Sequence, residues 1–384
     1  MFKPFVKWAG GKEKELAVIT PNLPEKINNY FEPFVGGGAV FFSFNEQKIT
    51  GKKYINDKSF ELISLYKYVG EGNKNFFNYL KQIEHNWNIL NEVVNNNRDA
   101  LLDFYFKYKN GIYNNVELRD NISQFIINHY QDFNGMLTAD FNVQIDRFYN
   151  EITNALVRKI KRTNVLEGDS SFGNDNLLEN IETAFKSAFY THFRRLYNER
   201  ERNEELRQII TSERASAIFY FIREYCYASM FRYNKNGDFN VPYGGMAYNT
   251  KAFINKINQI ENKDFQDYIN DTVIYNDDFK NFVDTYVPQK GDFIFLDPPY
   301  DTEFSEYAKN SFEKDDQARL AEFLYNTKAN FMLVIKDTPY IRSLYENHGF
   351  HIYEFNKKYM VNFQNRNDRD VIHLMITNYR AVIK

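Results

Sequence analysis

The residues best suited to chemistry are Asp297 and Tyr300, which enclose two prolines in the stretch Asp-Pro-Pro-Tyr. The apolar run at 293–296 precedes them, and its length and composition predict a strand buried on both faces. Open α/β sheets bind ligands at the carboxyl ends of their strands, so an aspartate there is a candidate site residue. Pro298 and Pro299 lack a backbone N–H and fix φ, which stiffens the turn. Taken alone, the stretch also fits a strand that simply ends in a Pro-Pro turn.

A second candidate is the glycine loop at 36–38, between a predicted strand and a predicted helix. Consecutive glycines let the backbone turn tightly and approach a ligand where a side chain would clash. Asp57 lies 21 positions after Gly36, at the end of the next predicted strand, where an acid can bond ribose hydroxyls. Phe41 stands where a dinucleotide fingerprint needs a small residue, which counts against a nicotinamide cofactor. The loop and Asp57 therefore predict nucleoside binding without choosing the nucleotide.

Two shorter patterns accompany the loop. Asp278 ends a third predicted strand, where it can serve an adenine edge or cap the strand end. Near the N-terminus, Trp8, Gly11 and Lys12 precede a helical stretch. Trp8 offers a flat apolar wall, Gly11 permits close approach, and Lys12 is a cation suited to a carboxylate.

An alternating framework of strands and helices must position these residues. The blocks at roughly 1–68 and 272–384 alternate short apolar strands with helical stretches. This alternation predicts one α/β domain with a mainly parallel sheet, in which the last two strands form an antiparallel hairpin. The block at 69–271 predicts a largely helical insertion, because apolar residues recur at helical spacing on one face, at Ile145, Phe148, Ile152, Leu156 and Ile160.

Two features of the insertion carry separate predictions. The stretch at 166–176 has loop composition. The basic run at 158–162 either contacts phosphate or, as we favour, forms a solvated helix end that complements the helix dipole.

Charge and composition limit the function classes. The net charge of −3 makes no general case for a nucleic-acid partner, although it allows a local basic face. Cys226 is the only cysteine, which excludes an internal disulfide framework and a cysteine-based metal site. The sequence has no apolar run near the length of a membrane span and no apolar signal core, so we expect a soluble, cytoplasmic protein.

In chain order, these motifs resemble those of the Dam-like DNA adenine-N6 methyltransferases. The matching stretches are KWAGGK (7–12), EPFVGGG (32–38), INDKSFELISLY (55–66), RYNKNGDFNVPYG (232–244), NDDF (276–279) and LDPPYD (296–301). The resemblance covers both outer blocks and about the last quarter of the middle block. It implies a Rossmann-like methyltransferase sheet with an inserted target-recognition domain, and residues from about 85 to 185 have no counterpart in the shorter members.

The resemblance implies S-adenosylmethionine as the methyl donor. The positions that match the family's donor pocket are Glu32, Phe34, Gly36 and Gly38. Asp57 would serve the ribose or amino-acid end of the donor, and Asp278 with Phe279 its adenine. The positions that match residues closing over the methionine moiety are Trp8, Gly11 and Lys12.

The implied acceptor is the exocyclic N6 amine of an adenine in double-stranded DNA. That amine is a poor nucleophile, because its lone pair is delocalised into the ring. If Asp297 and the Pro298 carbonyl each accept one N–H, the nitrogen can pyramidalise and aim its lone pair at the sulfonium methyl. Transfer then needs no covalent intermediate and no metal. Tyr300 would stack on the base after it is turned out of the duplex, and Pro299 helps to hold this ring and the acceptors in fixed relation.

The same resemblance assigns base reading to residues 226–244. Arg232 matches an arginine that contacts a guanine, and a guanidinium can donate two bonds to that base. Tyr227 matches an aromatic ring that enters the stack beside the flipped adenine, and Asn234 and Pro242 lie in the matching segment.

Two observations limit this transfer. Ala228 and Ser229 stand where GATC-specific members have Asn-Gly, so GATC specificity is not implied. Arg232 can also act structurally, by anchoring the turn through Asp238 or a backbone carbonyl.

Other function classes fit parts of the sequence. Adenine methylation of RNA, or amine methylation of protein, could use a related site, although Asp297 argues for a base because glutamine-modifying relatives have Asn there. A nicotinamide oxidoreductase leaves the Asp-Pro-Pro-Tyr stretch unexplained. A DNA-binding module with an inactive methyltransferase fold is disfavoured, because the glycine loop and the Asp-Pro-Pro-Tyr stretch are both intact. We therefore predict a site-specific adenine-N6 DNA methyltransferase, either with a cognate restriction endonuclease or as an orphan bacterial or phage enzyme.

Overall fold

The computed structural model describes residues 1–44, 48–133, 135–138, 141–168, 172–300, 312–358 and 370–382. The chain divides into two compact units. One contains Met1–Gly72 and Ile260–Lys384, and the other contains Asn73–Gln259. Within the described residues, no helix is both long and apolar enough to span a membrane.

The first unit is built on a mixed sheet. Its described strands are β1 (Tyr30–Glu32), β2 (Lys53–Asn56), β3 (Thr272–Tyr275), β4 (Phe293–Leu296), β5 (Asn330–Lys336), β6 (His351–Lys358) and β7 (Asp370–Thr377). Their spatial order is β3-β2-β1-β4-β5-β7-β6. The strands β1 to β5 are parallel, and β7 is antiparallel to both β5 and β6. The predicted α/β class, with a mainly parallel sheet and an antiparallel C-terminal hairpin, is confirmed.

The strand order reverses at the centre of the sheet. From β1 the chain moves outward through β2 to β3, and it then returns to β4 on the opposite side of β1. Phe31 of β1 accordingly pairs with Tyr54 on one side and with Ile294 on the other. Ligands of open α/β sheets bind beyond the carboxyl ends of the strands at such a reversal. The two strands that flank it here end at Glu32 and Leu296.

Helices cover the sheet and form most of the second unit. The described α-helices are α1 (Leu16–Ile19), α2 (Phe60–Gly70), α3 (Lys74–Asn96), α4 (Arg98–Lys109), α5 (Asn115–Asn128), α6 (Ile145–Glu167), α7 (Asn174–Arg200), α8 (Glu204–Ile209), α9 (Ser212–Tyr225), α10 (Phe253–Glu261), α11 (Lys263–Asn270), α12 (Phe279–Tyr286), α13 (Lys314–Asn326) and α14 (Pro339–Tyr345).

The observed boundary of the insertion differs from the predicted one at 271, because α11 belongs to the unit with the sheet. The ring of Phe265 lies 5.2 Å from that of Phe2 and 5.1 Å from that of Phe42, centroid to centroid. Tyr268 also donates a hydrogen bond to the Phe41 carbonyl, at 2.5 Å. Burial of this aromatic face attaches α11 to the N-terminal segment, and the helical pattern alone could not indicate which unit it joins.

The second unit has an aromatic core and long helices. Phe148, Ile152, Leu156 and Ile160 are buried on one face of α6, as their spacing predicts, whereas Ile145 at the start of the helix is half-buried. The ring of Trp87 on α3 packs against the rings of Phe189, Phe221, Tyr225 and Tyr243.

Two local predictions in this unit need correction. The basic run at 158–162 lies inside α6, which continues to Glu167, so it is not a helix end. The helix continues because Ile160 and Thr163 still face the core. The predicted loop at 166–176 is shorter at both ends, since α6 reaches Glu167 and α7 begins at Asn174, and its residues 169–171 lie outside the described ones.

Candidate active site and recognition segment

The Asp-Pro-Pro-Tyr turn meets the N-terminal segment at the carboxyl end of β4. The Lys12 ammonium lies 2.5 Å from an Asp297 carboxylate oxygen and 3.2 Å from the Tyr300 hydroxyl. Lys12 also donates to the Gly10 carbonyl at 3.1 Å. The Lys12 side chain is 2% exposed and that of Asp297 is 18% exposed, so most of this ion pair is removed from water. The sequence predicted that Lys12 suits a carboxylate, and in this structure that carboxylate is the one of Asp297.

Helix α13 and strand β7 support the same turn. The Gln317 amide is completely buried and donates a 2.8 Å hydrogen bond to the Pro299 carbonyl. The His373 ring meets the Tyr300 ring edge to face, at 5.4 Å. Because neither proline can donate a backbone bond, these side chains provide contacts that the turn cannot make for itself. Sequence reasoning missed both residues. A signal existed for Gln317, since it precedes Leu320 on the apolar face of α13.

The glycine loop adopts the conformations that favour glycine, with φ of +49° at Gly36 and +75° at Gly38. A side chain at Gly38 would come within 2.5 Å of the Tyr66 hydroxyl. The Trp8 ring lies against Gly36, since a Cβ there would be 3.1 Å from its Cδ1. The structure thus brings together the loop and the N-terminal Trp8, which the sequence singled out separately.

Asp57 fixes the loop through both oxygens. One accepts the Gly36 N–H at 3.0 Å, and the other accepts the Ser59 N–H at 2.9 Å at the start of α2. Asn56, which sequence reasoning passed over, joins the ends of three strands. Its amide donates to the carbonyls of Pro33 and Asp277, both at 3.0 Å, and its oxygen accepts the Asp277 N–H.

Buried carboxyl groups with raised pKa values lie at this end of the sheet. Burial raises the pKa of Asp57 to about 6, against the opposing hydrogen bonds from Ser59 and Gly36. Burial also raises the pKa of Glu32 well above its usual range, and the Asp297 charge adds to this effect. The Tyr30 hydroxyl donates to Glu32 at 2.6 Å and partly offsets the rise. A positively charged ligand beside Glu32 and Asp57 would favour their ionised forms and oppose the effect of burial.

Three phenylalanines lie together beyond β1 and β4. The Phe34 ring lies 5.5 Å from that of Phe279 and 5.4 Å from that of Phe312, and the last two are 5.9 Å apart. Aromatic rings arranged this way offer faces and edges on which a flat heterocycle can pack. Phe312 was not predicted, because it stands alone 15 residues after Asp297 with no motif around it.

Asp278 caps helix α12 and not the strand end that the sequence left as an alternative, since β3 already ends at Tyr275. Its carboxylate accepts the Lys280 N–H at 3.0 Å, which caps α12. The Arg319 guanidinium bonds to the same oxygen at 2.5 Å and lies 5.1 Å from the centre of the Phe279 ring.

In the second unit, residues 226–244 form a folded-back segment. The Tyr227 N–H donates to the Pro242 carbonyl at 2.9 Å, which brings these two predicted residues together. The Tyr227 side chain is 50% exposed. Ala228 and Ser229 have φ of +52° and +53°, a conformation that costs energy for residues with a side chain. The buried Arg223 holds this bend through a 2.6 Å bond to the Met230 carbonyl, and its guanidinium lies 4.5 Å from the centre of the Phe231 ring.

Arg232 is bonded within the same segment. Its Nε donates to the Asn240 side-chain oxygen at 2.8 Å, and one terminal nitrogen donates to the Asn240 carbonyl at 3.2 Å. Asp238 instead pairs with Arg202 and accepts from Asn234 at 3.1 Å. The structural alternatives for Arg232 were a bond to Asp238 or a bond to a backbone carbonyl. In this structure Arg232 makes the bond to a backbone carbonyl, that of Asn240.

A sheet that reverses its order beside a glycine loop and a strand followed by an acid is a nucleoside-binding α/β framework. The comparison with known families is more specific. The model of the D12 class of N6 adenine-specific DNA methyltransferases matches residues 8–168 and 156–361. The chain belongs to this family, so its substrate is DNA and its chemistry requires a methyl donor.

Relatives support the same assignment over nearly the full chain. A type II methyltransferase, M.CviBI of Paramecium bursaria Chlorella virus NC1A, is 26% identical over 380 residues, which cover 98% of this chain and 100% of the relative. A type II methyltransferase of Methanocaldococcus jannaschii, M.MjaIII, is 27% identical over 393 residues, which cover 98% of this chain and 99% of the relative. The retron Ec67 DNA adenine methylase of Escherichia coli is 29% identical over 223 residues, which cover 57% of this chain and 68% of the relative.

Proposed function

We propose that this enzyme transfers a methyl group from S-adenosylmethionine to the N6 amine of an adenine turned out of double-stranded DNA. The observation that carries the proposal is Asp297, held by Lys12 at the carboxyl end of a central strand, beside the Pro298 carbonyl. An ionised carboxylate has about four acceptor positions, so the Lys12 bond leaves capacity for an amine N–H. The Lys12 contact restricts the rotation of the carboxylate, which is the positioning that transfer requires.

The donor fits the residues that surround the proposed site. When bound, S-adenosylmethionine supplies a methyl group on a positively charged sulfonium. That charge would favour the ionised forms of Glu32 and Asp57, whose pKa values burial raises, and the glycine loop permits close approach. Phe34, Phe279 and Phe312 would enclose the adenine of the donor. Trp8, Gly11 and Lys12 would cover its methionine end.

The acceptor chemistry follows from the turn. Asp297 and the Pro298 carbonyl would each accept one N6–H, which localises the nitrogen lone pair. The nitrogen lone pair would then accept the methyl group that the sulfonium supplies, the S–C electron pair would stay on the sulfur, and the alkylated nitrogen would release its proton to Asp297 or to water. Tyr300 would stack on the flipped base, with His373 against the edge of its ring. Gln317 would hold Pro299, so that acceptor and stacking ring keep their relation.

We assign catalysis to the unit with the sheet and target recognition to the helical unit. Tyr227 is half exposed and suits insertion beside the flipped adenine. Arg232 would exchange its Asn240 bonds for a guanine, with Asn234 and Pro242 shaping the segment around it. Because M.CviBI and M.MjaIII are named type II methyltransferases, we also propose a cognate restriction endonuclease that acts on the same site.

Expression in a methylation-free host tests the function. Single-molecule sequencing should find N6-methyladenine at one sequence motif in cells with the wild-type chain and at none in cells with Asp297→Ala. Calorimetry should show S-adenosylmethionine binding to both purified proteins. Modified adenines in RNA but not in DNA would show that the acceptor is RNA. Donor binding without any methylation would indicate an inactive methyltransferase fold.

A further inference from the structure

The second unit contains a cavity of about 620 Å³ that the proposed chemistry does not use. Its basic lining residues are Arg147, Arg194, Arg195 and Arg202. Asn234, Asp238 and Asn240 form another part of the lining, and they belong to the segment proposed to read bases. The cavity is therefore directly next to the recognition segment, within one unit.

Helix α7 positions the basic wall. Thr191, Arg194, Arg195 and Asn198 all line the cavity, and their spacing of three and four residues places them on one face of the helix. The Asn198 side chain exchanges two 2.9 Å hydrogen bonds with the backbone N–H and carbonyl of Phe239. Arg194 donates to the Val241 carbonyl at 2.6 Å. These bonds fix the basic face relative to the recognition segment.

The cavity is cationic although the chain carries a net charge of −3. Its four arginines face two carboxylates, those of Glu199 and Asp238. Arg147 lies 3.1 Å from Glu199, and its side chain is 58% exposed, so the cavity is open to solvent on that side. His192 beneath the wall adds no charge, because burial lowers its pKa to about 3. Two positive charges in this lining are therefore not balanced by its acids.

We propose that this cavity binds a backbone phosphate of the DNA strand next to the bases read by residues 226–244. The inference rests on the proposed function. Guanidinium groups match a phosphate in charge and in the geometry of paired N–H donors. Phosphate contacts set the register of a protein on the duplex and leave base discrimination to other residues. The position of the cavity beside Arg232 suits this division.

Salt-dependent DNA binding tests the proposal, with three single variants of the full chain. Arg147→Gln removes a cation from the cavity. Arg98→Gln is the matched control, because Arg98 is a similarly exposed arginine in the same unit that pairs with Asp175 at 2.8 Å and does not line the cavity. Glu199→Gln removes an acid from the cavity. Fluorescence anisotropy would measure Kd at several salt concentrations, for duplexes with and without the methylated motif.

We expect Arg147→Gln to weaken binding to both duplexes alike and to reduce the slope of log K against log salt by about 1. Arg98→Gln should leave the slope unchanged, and Glu199→Gln should tighten binding. Equal effects of Arg147→Gln and Arg98→Gln, or a loss confined to the duplex with the motif, would overturn the phosphate site. Failure of the wild-type protein to bind or methylate duplex DNA would instead overturn the proposed function. An unchanged thermal unfolding profile would verify that each variant is folded.

Discussion

Replacing Asp297 by alanine should reveal two separable effects, one on catalysis and one on stability. The catalytic effect follows from the loss of a hydrogen-bond acceptor at the reacting amine. Removal of one such transition-state partner lowers rates by about a hundredfold to a thousandfold. S-adenosylmethionine affinity should change little, since the proposed bonds of Asp297 are to the target base.

The effect on stability follows from the Lys12–Asp297 pair, whose side chains are 2% and 18% exposed. Removing one member of a buried pair costs about 3–5 kcal/mol, because the other charge stays buried. The Tyr300 hydroxyl and the Gly10 carbonyl still accept from Lys12, so we expect the lower end, about 3 kcal/mol. For a chain of 384 residues, that loss corresponds to a Tm about 4 °C lower.

A double-mutant cycle separates the two effects. Lys12→Met, Asp297→Ala and the double variant would be compared by thermal unfolding and by single-turnover methylation of duplex DNA. The double variant should be more stable than the sum of the single losses predicts, and yet as inactive as Asp297→Ala. Asp284→Ala is the matched control, because Asp284 pairs with Lys280 on the exposed face of α12 and should contribute less than about 1 kcal/mol. A near-normal single-turnover rate for Asp297→Ala would remove this residue from the mechanism, and a coupling energy near zero would refute the buried pair.

Four further predictions concern the donor site, the turn and base reading. Because burial raises the pKa of Asp57 to about 6, its carboxylate takes up a proton as the pH falls below that value. Calorimetry should therefore show weaker donor binding below that pH, and Asp57→Asn should flatten this pH dependence. Phe312→Ala should weaken donor binding by roughly fivefold, which corresponds to the loss of an aromatic contact of about 1 kcal/mol, and an unchanged Kd would place the adenine elsewhere. Gln317→Leu leaves the Pro299 carbonyl without its donor, which costs about 1–3 kcal/mol, and kcat should fall while donor affinity stays constant. Arg232→Ala should cost about 1–3 kcal/mol at one base position of the mapped site, whereas a uniform loss across a substrate set would leave Arg232 with only its structural bonds to Asn240.

The sequence alone determined the local features of the protein. Short apolar runs specify strands such as β4, because buried parallel strands need little more than continuous β-favouring side chains. Glycines at 36 and 38 indicated a tight loop, and both have positive φ in the structure. The order of motifs along the chain was sufficient for the family assignment, since it does not depend on knowing how the segments pack.

Tertiary structure alone decided which side chains meet. Lys12 and Asp297 are 285 positions apart, and only the adjacency of the N-terminal segment to the end of β4 makes them an ion pair. Gln317 and Phe312 carry no motif, and they reach the proposed site because α13 and the residues directly before it pack against the sheet. Arg232 bonds to Asn240 and not to Asp238, because Arg202, two residues after the end of α7, pairs with that acid. Local propensity depends on neighbours in sequence, whereas these contacts depend on packing between distant elements. No pattern within one segment encodes that packing.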